Sequence, residues 1–144
     1  MLYSNILVAF DGSEASNKAL DHAISMLQVT PNAKISVIHV FGFPRVYFGE
    51  AYAPISTSVT KEYYDLAEQT VEIAKQRLEV AGVTGTVELI QGAPAEIILD
   101  YSKKNNSDVI IIGSRGLGGI REFVLGSVSH NVVQHARIPV LVVK

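Results

Sequence analysis

Two stretches carry residue types able to do chemistry on a ligand. The first is Asp11-Gly12-Ser13-Glu14, in which an acid and a hydroxyl flank a glycine. The second is Gly113-Ser114-Arg115-Gly116-Leu117-Gly118-Gly119, which continues to Gly126-Ser127-Val128-Ser129. Glycines spaced this closely let the backbone approach a ligand and visit positive φ, and successive N–H groups there form a concavity suited to phosphate. Arg115 can add a charge-assisted contact, and Ser127 and Ser129 can add hydroxyl donors. Glycine-rich turns are also ordinary connectors between strand and helix, so glycine content alone points only to a generic phosphate cradle. Neither GxGxxG nor GxxxxGK[ST] occurs, which excludes a Walker-type loop.

Other chemistries find less support. Asp11 could simply initiate a turn ahead of a helix. A receiver-type metal acid is disfavoured because the third strand ends Ile90-Gln91-Gly92-Ala93, without the aspartate that chemistry needs. His22, His39, His130 and His135 lack a compact metal-ligand spacing and read as packing or surface residues. Ser13 and Ser127 have no evident base partner, so triad chemistry has no footing. The chain has no cysteine, which removes disulfides, thiolate metal sites and cysteine nucleophiles. A net charge of −2, a pI near 6.1 and scattered Lys/Arg leave no basic footprint for nucleic acid. No apolar run approaches the roughly 18–20 residues that span a bilayer. Met1–Asn5 shows no basic or apolar leader, so the expectation is a cytoplasmic chain without membrane association.

The elements that must position these stretches alternate. Apolar, β-branched runs occur at 6–10, 35–40, 86–90, 109–112 and 139–143. The first, fourth and fifth are nearly continuous, as in strands covered on both faces of a parallel sheet. Between them lie helical periodicities: one capped by Ser13 with Ala19, Ala23 and Leu27 on one face, and one from Tyr63 to Ala81 stopped by Gly82. A third opens at Pro94 and runs through Tyr101, and a fourth runs from about Arg121 to His135, with Pro139 preventing continuation. The order βαβαβαβαβ implies one α/β domain over residues 1–144 with helices on both faces of a five-stranded parallel sheet. Residues Gly42 to about Thr57 read as a long, mobile loop, whose Phe43, Tyr47, Phe48 and Tyr52 could close over a ligand or pack against a partner. Ligands of open α/β sheets bind at the carboxyl ends of the strands, where both chemical stretches fall.

The full pattern Gly113-x2-Gly116-x9-Gly126-Ser127, directly after a strand, resembles the ATP-binding motif of universal stress proteins. ILVAFDGSEAS at the first strand, Ile38-His39-Val40, the segment from Asp108 to Gly116 and the closing Ile138-Pro-Val-Leu-Val-Val are similar to that family too. The resemblance implies a three-layer α/β/α fold with strand order 3-2-1-4-5, the adenine nucleotide alpha hydrolase-like arrangement. It implies ATP as ligand, with AMP or ADP as alternatives, accompanying Mg²⁺ and a regulatory role in stress response. By position, Ala9, Phe10 and Asp11 line the pocket, with Asp11 on the ribose. Val40 meets adenine through its backbone, beside Ile112. Gly113, Arg115 and Gly116 wrap the phosphates, joined by Gly126, Ser127, Val128 and Ser129. Ala9 stands where many ATP-binding relatives carry proline. No catalytic group is evident, so the expectation is a binder; the alternatives are a slow Mg-dependent ATPase or other adenine-nucleotide enzyme on the same fold, and an ATP-independent interaction module. The closing strand, 138–143, is expected to pair across a two-fold axis in a homodimer.

Overall fold

A computed structural model describes residues 2–42, 45–48, 51–54, 57–116 and 125–144. Five parallel strands form the central sheet: β1 (Asn5–Ala9), β2 (Lys34–Phe41), β5 (Thr86–Gln91), β6 (Val109–Gly113) and β7 (Val140–Val143). Their spatial order is β5-β2-β1-β6-β7, the 3-2-1-4-5 arrangement expected, with the order reversing between β1 and β6. β3 (Arg45–Phe48) and β4 (Ala51–Pro54) form a separate antiparallel pair in which Tyr47 faces Tyr52 in register.

The strands sit centrally because both of their faces are apolar. Side chains alternate across a strand, and here both sets find cover. Ile6, Val8 and Phe10 of the β1 segment join Ile35, Val37, Val109 and Ile111 under α1 (Glu14–Val29) and α2 (Thr57–Val80). Leu7 and Ala9 join Ile38, Ile110 and Ile112 on the opposite face, under α3 (Pro94–Lys104) and α4 (Ser127–His135). Ile6, Leu7, Val8, Ile110 and Ile111 are essentially inaccessible to solvent. Burial of this kind contributes about 25 cal/mol per Å² of apolar surface.

Helix boundaries follow their local chemistry. Ser13 caps α1, its Oγ accepting the Ser16 N–H at 3.2 Å. α2 closes on Gly82, whose φ of +69° suits a residue without Cβ. Pro94 occupies the first turn of α3, where its missing N–H costs nothing. No helix among the described residues is long and apolar enough to cross a membrane.

Three expectations change. α2 begins at Thr57, six residues before Tyr63, so its first turns precede the part that packs on the core at Ala67, Val71, Ala74 and Leu78. The stretch read as an irregular loop contains the β3–β4 pair; its Gly and Pro punctuation concealed Val46-Tyr47-Phe48 and Tyr52, residue types that favour extended backbone. The side chains of 43–57, including the aromatics considered as a lid, lie outside the described residues. α4 starts at Ser127 rather than near Arg121, because Gly126 adopts φ −63°, ψ 162° and acts as its cap; residues 121–124 are outside the described set.

Candidate functional site

At the carboxyl edge of the sheet, where the order reverses, lies a cavity of about 430 Å³. Every site residue singled out from the sequence lines it: Ala9, Phe10 and Asp11 after β1, Val40 on β2, Ile112 and Gly113 ending β6, Arg115 and Gly116 beyond it, and Gly126 to Ser129 at the start of α4. Six further residues line it: Ser13, whose hydroxyl belongs to the first chemical stretch, and Ser16, Ile38, His39, Pro94 and Ile98, which the sequence reading did not assign to a ligand.

The cavity has two chemical ends. Ile38, Ile98 and Ile112, with Val40 and Val128 beside them, belong to the core on the α3/α4 side, so one wall is a continuation of that core. The other end is polar. Gly126 N–H donates to the Ser114 carbonyl at 2.8 Å, which folds the two halves of the glycine run together. The first bond of α4 runs from His130 N–H to Gly126 O at 2.9 Å, so the amides of Ser127, Val128 and Ser129 have no partner within the helix. Free first-turn amides at the positive end of a helix favour an anion. Ser127 is exposed, and its hydroxyl has no partner among the described residues. Ser129 does not: its Oγ is buried, donates to Ser114 O at 2.7 Å and lies 3.1 Å from Gly126 O. The hydroxyl expected to meet phosphate is therefore structural, and Ser129 can offer only its amide. Arg115 Nη1 is buried with no hydrogen-bond partner among the described residues. An unpaired guanidinium nitrogen is costly to bury, and an anion would satisfy it.

Glycine is required at two places here. A Cβ on Gly116 would stand 2.8 Å from Asp11 Oδ2, so the carboxylate occupies the space a side chain would take. A Cβ on Gly113 would meet the Ala15 carbonyl carbon and the Ser16 nitrogen at 2.8 Å, so α1 packs directly on that backbone. Asp11 is further fixed by the Ser13 N–H, which donates to Oδ1 at 2.9 Å. Ser13 Oγ lies 3.5 Å from Arg115 O and ties the two chemical stretches together.

The β1–β2 ladder stops at an unusual point. Phe10 N–H donates to Ile38 O at 2.9 Å, the last parallel step. The next step would join Val40 N–H to Phe10 O, but that carbonyl accepts from His39 Nδ1 at 2.9 Å. Alternate residues of a strand bond to the same neighbour, and Lys34 and Ile38 bond to the β1 segment, whereas Phe41 O accepts from Gly92 on the β5 side. Val40 N–H and C=O thus face the β1 side with no backbone partner among the described residues, at the cavity wall. Burial lowers the pKa of His39 below its usual 6.5, and the Phe10 hydrogen bond and the Asp11 charge only partly oppose this. The ring is neutral at pH 7, and because a carbonyl only accepts, its proton resides on Nδ1. Among the described residues no group of three or more His, Asp or Glu side chains is arranged to hold a metal.

The model of the Universal stress protein family matches residues 2–144. The chain belongs to this family. It is 36% identical to universal stress protein YxiE of Bacillus subtilis over 154 aligned positions, covering 99% of this chain and 100% of that one. It superposes on the universal stress protein UspA of Lactobacillus plantarum with a TM-score of 0.84 at 25% identity, covering 99% of this chain and 98% of that one. A universal stress protein in complex with cAMP matches with a TM-score of 0.74 at 25% identity, over 100% of this chain and 99% of its own. Strand order and layering are those of the adenine nucleotide alpha hydrolase-like fold common to the family.

Proposed function

We propose that this universal stress protein is a cytoplasmic nucleotide-responsive regulator whose cavity binds ATP, with AMP and ADP as smaller occupants. The observation that carries this reading is the cavity's division into an aliphatic wall and a polar end of glycine backbone, amides and a guanidinium nitrogen that have no partner among the described residues. A purine fits the first, with Val40 N–H and C=O meeting a donor–acceptor edge, and phosphates fit the second. The cAMP complex of a structural relative supports an adenine nucleotide as the ligand class.

The residues also fit Mg²⁺ arriving with the nucleotide. Magnesium is commonly held by one or two carboxylates plus substrate phosphates, and Asp11 is a carboxylate lining the same cavity. The metal would neutralise phosphate charge there. We assign no turnover: Asp11 Oδ1 is engaged by Ser13 N–H and His39 Nδ1 by Phe10 O, which favours a holding role for these groups over proton transfer. Occupancy then signals the nucleotide state to a partner during stress. Edge strand β7, with Val140, Leu141 and Val142 only partly covered, is the proposed homodimer contact over 138–143.

The test is to denature purified protein, identify released nucleotide by mass spectrometry, and titrate stripped protein with Mg-ATP. Released adenine nucleotide and saturable binding are expected. No released nucleotide together with no binding at millimolar Mg-ATP would overturn the proposal, and turnover well above about one per minute would replace it with an ATPase.

A further inference from the structure

We propose that His39 is a positioning residue that keeps the β1–β2 ladder open at Val40, and so prepares the base-recognising edge of the cavity. This rests on the nucleotide reading above, but its structural half can be measured without any ligand.

In a parallel pair each backbone N–H and C=O on the facing side finds a partner in turn. Continuing that pattern past Ile38 would consume Val40 N–H on Phe10 O. His39 intercepts the carbonyl with Nδ1 at 2.9 Å, from the residue directly before Val40. The Phe10–Asp11 peptide is then held from both ends by side chains, because Asp11 N–H donates to Ser16 Oγ at 3.3 Å. Ser16 Oγ in turn donates to Ser13 O at 3.0 Å. The peptide is turned out of the ladder at the position where Asp11 must reach Gly116 and where Gly12 takes φ +84°. The neutral ring suits the task, since a single tautomer presents one donor to one carbonyl. One side chain therefore does two things: it holds the Phe10 carbonyl turned away from Val40 N–H, and it sets the peptide from which the Asp11 side chain departs.

The experiment compares wild type with His39→Leu, which cannot donate, and His39→Asn, whose amide can replace Nδ1 as donor. In ligand-free protein, hydrogen exchange at the Val40 amide should slow in His39→Leu by roughly three- to tenfold, the worth of one net hydrogen bond gained. His39→Asn should stay near wild type. Calorimetric titration with Mg-ATP should show binding weakened by roughly three- to tenfold in His39→Leu and largely recovered in His39→Asn. Should His39→Leu fail to fold, His39→Phe keeps the ring shape without the donor and is read the same way. Unchanged Val40 exchange, or unchanged ATP affinity despite slower exchange, overturns the inference. Wild type that binds no nucleotide overturns the proposed function and the binding half of this inference, while the exchange result still decides the ladder half.

Discussion

Gly116→Ala and Gly113→Ala make a matched pair in which the same added methyl group should do opposite things. Neither glycine has a left-handed φ, so backbone strain is not the issue and contact decides. At position 116 the new Cβ meets Asp11 Oδ2 at 2.8 Å, the free end of a side chain. The carboxylate must withdraw by roughly 0.6 Å to reach ordinary contact at 3.4 Å, which loosens its hold on Ser13 N–H but disturbs no core residue. Replacing a glycine at a compatible φ also restricts the unfolded chain, for about 0.4–1 kcal/mol of stabilisation. Ligand-free Gly116→Ala should therefore melt at or slightly above the wild-type temperature. Its loss is in binding: misplacing one charged hydrogen-bonding group costs about 1.5–3 kcal/mol, roughly a tenfold to hundredfold weaker Kd for Mg-ATP. At position 113 the Cβ strikes α1 backbone, the Ala15 carbonyl carbon and Ser16 N, which cannot swing aside. Overpacking of that kind costs about 1–3 kcal/mol and should lower Tm by roughly 2–12 °C. Scanning calorimetry of both ligand-free variants, followed by isothermal titration with Mg-ATP, separates the two. The reasoning fails if Gly116→Ala destabilises the ligand-free protein as much as Gly113→Ala does, or binds ATP as wild type does.

Three further outcomes are expected. His39 resists protonation in the folded state, so the unfolded chain takes up the extra proton as pH falls below about 6.5, and stability should decline across that window; His39→Asn should flatten the decline, as read by Tm against pH, and an equally steep decline in that variant would refute the assignment. Burial alone would raise the Asp108 pKa, but hydrogen bonds from Ser4 N–H and Oγ and from Asn5 N–H outweigh it and hold the carboxyl below its ordinary 3.8; its stabilising effect is present at neutral pH and lost as pH drops through that depressed value, and Asp108→Ala should unfold at lower urea concentration at pH 7 while matching wild type more closely near pH 2. On β7, the carbonyls of Pro139 and Val143 accept from Ile110 and Ser114 of the β6 side, so Val142 N–H points outward; Val142→Pro should convert a sedimenting dimer into a monomer with its fold retained, and a wild-type monomer at micromolar concentration would refute the edge contact.

The parts of this molecule legible in its sequence are those where one physical signal dominates. Ile6–Phe10 and Val109–Ile112 are short, β-branched-rich and apolar at every position, which suits a strand covered on both faces, and Ser13, Gly82 and Pro94 punctuate the helices by rules local to a few residues. Signals in competition were harder to read. Gly42, Pro44, Gly49 and Pro54 spoke for a loop where the aromatic residues between them pair as strands, and the apolar period through Val124 and Val128 concealed the cap at Gly126. The glycine run and Asp11 converge because β1 and β6 are neighbours at the order reversal, so a topology argument was enough to bring them together. His39 required something different. Its residue type gave no sign of a role, since its contribution depends on where a neighbouring ladder ends, and that is settled by pairing between strands far apart in the chain. The same holds for Ser129, whose hydroxyl was expected to face phosphate until Ser114 O, brought within 2.7 Å by the folding of the glycine run, claimed it. In both cases a backbone carbonyl takes a side-chain donor; Ser114 O keeps its bond from Gly126 N–H as well, whereas at Phe10 the amide of Val40 is left without a backbone partner among the described residues. At the end of the β1–β2 ladder the main-chain binding edge is thus set by a side chain that holds the neighbouring carbonyl, and this is why substitution at His39 should reach the ligand through Val40, a residue whose own side chain could change with little effect on that hydrogen bond.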